Sequence, residues 1–196
     1  MRKIIYFTFI LLFLSCKNDN SKLSEEILSK TFYDFDKVEY YKINLSISEI
    51  DKICSPPLPS KSIKDSIENS KKGEWNSFLK LYSPEKTDDV RFLKMFNEIK
   101  KTKILIESKY YDVLKSKILI EKKCDFDQDM IPSVAPLYTD VFIFSKNNKI
   151  IGIAKLNSMG NFSHVFVGTN MRTTCFGQNG EMNYLKKILN TKSFLK

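Results

Sequence analysis

The chain has 196 residues, 42% of them hydrophobic and 13% aromatic, and its 32 Lys and Arg against 23 Asp and Glu give a formal charge of +9. That composition excludes a disordered polymer, and the length suits a single domain with its own core. One histidine, four cysteines and six glycines, none in a Gly-x-Gly-x-x-Gly arrangement, give no support to a zinc centre or a phosphate-cradling loop. No metal and no cofactor is therefore expected.

In chain order, Arg2 and Lys3 open the sequence, an apolar run interrupted only by Thr8 extends from Ile4 to Leu14, and Ser15 with Cys16 closes it. This is the three-part layout of an export signal. As a helix the run reaches only about 17 Å, against roughly 30 Å of bilayer hydrocarbon, so it is too short for a durable membrane span. An ordinary secretory cut wants small residues one and three places before cleavage. Ser15 satisfies this and Phe13 does not.

The stretch Phe13-Leu14-Ser15-Cys16 resembles the lipobox of bacterial lipoproteins, with Phe13 standing where Leu, Val or Ile is usual. The resemblance implies cleavage after Ser15 and a thioether-linked diacylglycerol on Cys16, often with a further acyl chain such as palmitate on the new amino terminus. Two or three chains, at about 0.8 kcal/mol per buried CH₂, hold a protein on a membrane durably where one does not. Residues 1–15 thus read as a signal peptide and 16–24 as the lipidated cysteine and a polar tether, "KNDNSKLS". The Lys, Asn, Ile and Phe richness also resembles the small envelope lipoproteins of Bacteroidetes. Lys17 is not the aspartate linked to inner-membrane retention, which points to the outer membrane, on its periplasmic face or at the cell surface.

Residues 25–196 read as one α+β domain. "FDKVEYYKINLSIS", residues 35–48, predicts a strand whose apolar parity switches from Val38 and Tyr40 to Ile43 and Leu45, suggesting a bulge near Tyr41. Ser48 is placed to cap a short helical turn, and "CSPPLPS" then stops regular structure. Two short helices are expected over 61–71 and 74–82, separated by Gly73, with Trp75, Phe78, Leu79 and Tyr82 facing the core and Trp75 as an anchor. Thr87, Asp88 and Asp89 supply a cap for the next helix. Its apolar spacing through Phe92, Phe96, Ile99 and Ile106 argues that it runs well past Lys101 and breaks near 108–111. "KILIE" occurs at 103–107 and again at 117–121, and the second copy is expected to lead into a strand.

The carboxy-terminal half predicts an antiparallel meander of about four strands. Asn147-Asn148 forms a two-residue hairpin turn, "FSHVFVG" a third strand and "NMRTTCF" a fourth. "EMNYLKKILN" closes the chain as a helix whose Met182, Leu185, Ile188 and Leu189 dock on the sheet. The expected fold is α+β, with a helical amino-terminal half, that meander and the closing helix.

Cys54, Cys124 and Cys175 remain after Cys16, and an oxidising envelope permits one disulfide among them. Cys124 with Cys175 is the favoured pairing, because each lies beside a predicted strand. "CDFDQD" resembles the opening of a calcium loop, but Met130 replaces the required glycine and Pro136 the bidentate glutamate, which rejects an EF-hand. His164 lies in a strand between apolar neighbours, as a structural histidine does, and no nucleophile elbow surrounds any serine. The run 100–123 carries eight lysines. With an export signal and little arginine, this suits a solvated basic face or an anionic envelope component and not nucleic acid.

The expected function is a lipid-anchored envelope protein, a non-catalytic binding or accessory module with a protein or envelope-component partner. Two alternatives stay open: an immunity lipoprotein neutralising a periplasmic toxin, and a hydrolase or thiol enzyme using His164 or a cysteine.

Overall fold

β-branched and aromatic residues dominate the segment Lys37–Ile43, and they form the strand around which the sheet is built (β1). The computed structural model describes residues 30–46, 48–49, 62–80, 82–123, 137–157 and 163–190. The expected signal peptide and tether with Cys16, Cys54 and its prolines, and Cys124 with the aspartates of "CDFDQD" lie outside the described residues. β1 pairs on one side with Lys101–Leu105 (β2) and on the other with Asp140–Lys146 (β3), followed by Lys149–Leu156 (β4) and His164–Val167 (β5). All pairings are antiparallel, in the order β2-β1-β3-β4-β5. The chain is therefore α+β.

Both faces of this sheet are buried. Val38, Tyr40, Phe142, Phe144, Ala154 and Leu156 face one core, closed by Phe32, Tyr33, Phe35, Leu114, Ile118 and the helix Glu181–Asn190. Ile43, Val141, Ile143, Ile153 and Val167 face the other, closed by the helices Ile63–Lys80 (α1) and Val90–Glu98 (α2). We call the carboxy-terminal helix α3. Two covered faces explain why "VFIF" in β3 has no polar residue between its apolar ones. They also remove the bulge expected near Tyr41. β1 runs in regular register from Lys37 to Ile43, and its parity change reflects two apolar faces. The irregularity lies between β3 and β4, at Phe144/Ser145.

The expected order of elements is corrected in the amino-terminal half, which is not helical throughout. β1 precedes every described helix, and the sheet draws β1 and β2 from before residue 106, with β3, β4 and β5 as the carboxy-terminal strands. The expected fourth carboxy-terminal strand, "NMRTTCF", forms bends and turns instead.

Gly73 does not separate two helices but lies within α1, where a Cβ would meet nothing within 4 Å. α2 is capped by Asp89, whose carboxylate accepts the Phe92 amide at 3.1 Å, and it ends at Glu98. The expected continuation past Lys101 fails because Ile99 is extended and the Lys101 ammonium folds back onto the carbonyls of Phe96 and Asn97, satisfying the helix end.

The two "KILIE" copies adopt different structures. The first contributes its start to edge strand β2, while the second closes a helical segment, Ser108–Ile118, whose last turn is π-helical. The Leu119 amide bonds the Leu114 carbonyl at 2.7 Å, a wide turn that buries both Leu114 and Ile118. Only an isolated bridge from Ile120 to Thr31 remains of the expected strand.

The hairpin and closing helix are as expected. Asn147 and Asn148 take positive φ of 51° and 62° between β3 and β4. Leu185 and Ile188 of α3 are buried, with Met182 and Leu189 packed against the same core.

Candidate binding cleft

Where β1 ends, the chain passes through Asn44, Leu45 and Ser46 along the side of α1. Ser46 and Glu49 cap each other's backbone there: the Glu49 carboxylate accepts the Ser46 amide at 2.6 Å, and the Ser46 hydroxyl accepts the Glu49 amide at 3.3 Å. The cap is thus Ser46 and not Ser48. This reciprocal pair holds Leu45 beside Trp75 and Leu79 of α1 and Ile99 at the end of α2, around a cavity of about 370 Å³. A second cavity of about 320 Å³ continues toward the sheet, lined by Lys42, Ile43 and Thr139, and shares Asn44, Leu45, Glu49 and Lys100 with the first. The two form one cleft.

Its two ends differ in chemistry. The sheet end is polar, with its charges of both signs. Lys42 Nζ lies 3.1 Å from Asp140 Oδ1, and that buried carboxylate also accepts the Tyr40 hydroxyl at 2.6 Å and the Thr139 hydroxyl at 2.9 Å. Burial and the neighbouring Asp140 push the Tyr40 phenol well above its ordinary range, so Tyr40 stays a proton donor. The network fixes Lys42 in direction. Asn44 donates to the Thr102 hydroxyl at 2.7 Å, tying the rim to β2. The α1 end is mainly apolar, with Leu79 and Ile99 buried, Leu45 and Trp75 half-buried, and Lys72, Asn76 and Lys100 at its edge. Trp75, expected as a core anchor, packs edge-on to Phe78 at 6.4 Å but also lines the cleft.

On the other side of Trp75, α1 and α2 enclose a groove of about 580 Å³ with Lys71, Arg91 and Lys94 facing Glu74 and Glu98. Its charges are mixed, so it selects no ligand sign.

The remaining expected sites fall elsewhere. Cys175 is buried at 3% exposure and disulfide-bonded; its partner lies outside the described residues, as do Cys16 and Cys124. His164 opens β5 half-buried, its ring 5.3 Å from both Phe166 and Phe176, inside an aromatic cluster. The lysine run 100–123 is dispersed over the fold. Lys103 pairs with Glu39, Lys109 with Glu107 at 2.8 Å, Lys115 with Asp34 at 3.2 Å and Lys122 with the buried Glu181 at 2.7 Å. Among the described residues no group of three His, Cys, Asp or Glu is placed to hold a metal ion, and no helix is long and apolar enough to cross a membrane.

Sequence reasoning missed Lys155. Its side chain is fully buried, its ammonium donates to the carbonyls of Phe78, at 2.6 Å, and Tyr82, and it lies over the rings of Phe78 and Tyr138. Burial pushes it down to about 7. The available signal was its parity: in "GIAKL", Lys155 alternates with Ile153 toward a covered face.

The chain matches no known protein family, no curated protein and no solved structure. What it does must be argued from its own residues.

Proposed function

We propose that this protein is a lipid-anchored cell-envelope protein whose α+β domain is a non-catalytic binding module, held by acyl chains on Cys16 at the outer membrane. The observation that carries the reading is the sequence from Arg2 to Cys16: a basic start, an apolar run too short to span, and Phe13-Leu14-Ser15-Cys16 at its end. The polar tether that follows would leave the domain free to meet a partner in the envelope. A binding role is supported by a cleft that joins a polar end at the sheet to a mainly apolar end on α1. The packing of His164 among aromatic rings favours a structural role over a catalytic one.

The test is mass spectrometry of the mature amino terminus from the membrane fraction, beside a Cys16→Ser variant. Diacylated or triacylated Cys16, with the variant lost from that fraction, is the expected result. An unmodified Cys16 on protein that stays in the supernatant would sink the proposal. A His164→Ala variant that keeps the partner but abolishes a turnover would restore the enzymatic alternative.

A further inference from the structure

We propose that the face formed by α3 and residues 117–123 rests on a bilayer surface carrying anionic phospholipid, with Tyr184 between its lysines at the interface. The inference rests on the lipid-anchored reading, which brings the domain to a bilayer, and it adds which side of the domain meets the lipid.

Two observations select that side and that partner. The first is where the chain enters the domain. Lys30 and Thr31 are the first described residues, and both are tied to the stretch just past the π-turn. The Lys30 carbonyl accepts the Glu121 amide at 2.8 Å, Thr31 bridges Ile120, and the Phe32 amide donates to the Leu119 carbonyl at 2.7 Å. Fully extended at about 3.5 Å per residue, the chain from Cys16 to Lys30 reaches about 50 Å at most. Acyl chains on Cys16 therefore hold the domain by this side.

The second is the chemistry found there. Lys117 Nζ lies 5.8 Å and Lys187 Nζ 5.9 Å from the centre of the Tyr184 ring, so cations from two elements flank one aromatic side chain that is 42% exposed. Lys122 joins the same face, donating to the Lys117 carbonyl at 3.1 Å, and exposed Lys123 follows it. The acids bonded to these residues are withdrawn: Glu181 is buried with its carboxylate on Lys122 at 2.7 Å, and Glu121 is half-buried. With Lys122 and Glu181 cancelling, Lys30, Lys117, Lys123 and Lys187 outnumber Glu121, and the face is cationic. Lysines act as point charges and suit a diffuse anionic surface, while a tyrosine places its ring among headgroups with its hydroxyl in water. α1, α2 and the cleft lie across the sheet from α3. A domain resting on α3 thus turns the cleft away from the bilayer, toward partners in the envelope.

The full chain as processed by the cell is reconstituted in vesicles of phosphatidylcholine, alone or with phosphatidylglycerol added, and the acetylation rate of each lysine is read by mass spectrometry. Lys30, Lys117, Lys123 and Lys187 should react about fivefold more slowly once phosphatidylglycerol is present, while exposed Lys64 of α1 and Lys94 of α2 keep their rates. Salt at about 0.5 M should remove the difference. In a Lys117→Gln, Lys187→Gln double variant, Lys30 and Lys123 should return to their rates on phosphatidylcholine, because each lysine lost weakens the docking about fivefold. Equal rates in the two kinds of vesicle, slowing that also reaches Lys64 and Lys94, or protection unmoved by the double variant overturns the proposal. Slowing that follows protein density and not phosphatidylglycerol assigns the face to a second copy of the chain and overturns it too. Flotation with the same vesicles reports the anchor separately. A chain that floats only with phosphatidylglycerol and shows the protection keeps the docking face and refutes the anchored reading. A chain that floats with both and shows no protection refutes the docking face alone.

Discussion

The Nζ of Lys155 lies 2.6 Å from the carbonyl oxygen of Phe78, a cation from the middle of the sheet satisfying the last turn of α1. A second bond reaches the Tyr82 carbonyl just beyond the helix, so one side chain ties the end of α1 to β4. The carbonyls and the ring faces of Phe78 and Tyr138 are electron-rich and favour the ammonium, while burial opposes it and prevails, to about 7. The unfolded chain, with an ordinary lysine near 10.4, binds the proton more readily than the folded one. The cost of the buried charge is therefore full below pH 7 and is relieved as the pH rises from about 7 toward 10.4. Urea melts of wild type and Lys155→Met between pH 6 and 9.5 should show wild type gaining on the variant as pH rises. Parallel curves would remove Lys155 from the linkage. At pH 9 the variant should be less stable by about 1–3 kcal/mol, because two carbonyls lose their donor.

Gly152 lies in β4 where no side chain has room. A Cβ there would lie 2.3 Å from the ring of Tyr33, which is buried, stacked on Phe144 at 4.5 Å and anchored by its hydroxyl donating to the Val167 carbonyl at 2.9 Å. The ring has nowhere to move. Gly152→Ala should cost about 3 kcal/mol, the upper part of the overpacking range, with a fall in Tm of several degrees. A Gly152→Ala, Tyr33→Leu double variant should recover part of that loss in calorimetry.

At Gly73 the opposite holds, because α1 is helical on both sides of it and the position is exposed with open space around it. Gly73→Ala removes the backbone entropy cost of a mid-helix glycine and should stabilise by about 0.5–1 kcal/mol. Denaturant midpoints will read this as a higher midpoint at unchanged slope.

Asp89 serves two partners at once, accepting the Phe92 amide as the α2 cap and the Tyr82 hydroxyl at 2.7 Å. The Tyr82 bond, ahead of the backbone amides, holds its carboxyl below the usual range. Its contribution is therefore present above the unfolded value near 3.9 and is lost as the pH falls through the lower folded value. Asp89→Ala should cost about 1 kcal/mol at pH 7. Asp89→Asn, which keeps the cap but not the charge, should cost less and flatten the acid limb of the stability curve below about pH 4.

The parts of the fold legible in the sequence are those whose signals are local. Asn147-Asn148 takes the positive φ of its turn whatever surrounds it, and Leu185 and Ile188 line one side of α3 because the period is 3.6. The cap at Asp89 belongs to the same class. The cleft was not legible. Lys42, Leu45, Trp75 and Lys100 come from the end of a strand, a helix and a second helix's exit, and nothing in their spacing marks them as neighbours. Trp75 reads as core because the helical stripe gives it the same period as Phe78 and Leu79.

By itself, the sequence determined the hairpin, the closing helix and a domain of mixed class, all properties of short stretches. Tertiary structure alone decided that the sheet is covered on both faces, so that β1 needs no bulge and Lys155 points into a core. It also decided that one pentapeptide becomes an edge strand and its repeat the end of a π-turn, since β1 offered an open edge to the first copy and a core offered a pocket for Ile118 to the second. Local preference within "KILIE" is the same in both places. Burial and backbone pairing, which depend on residues far along the chain, outweigh it.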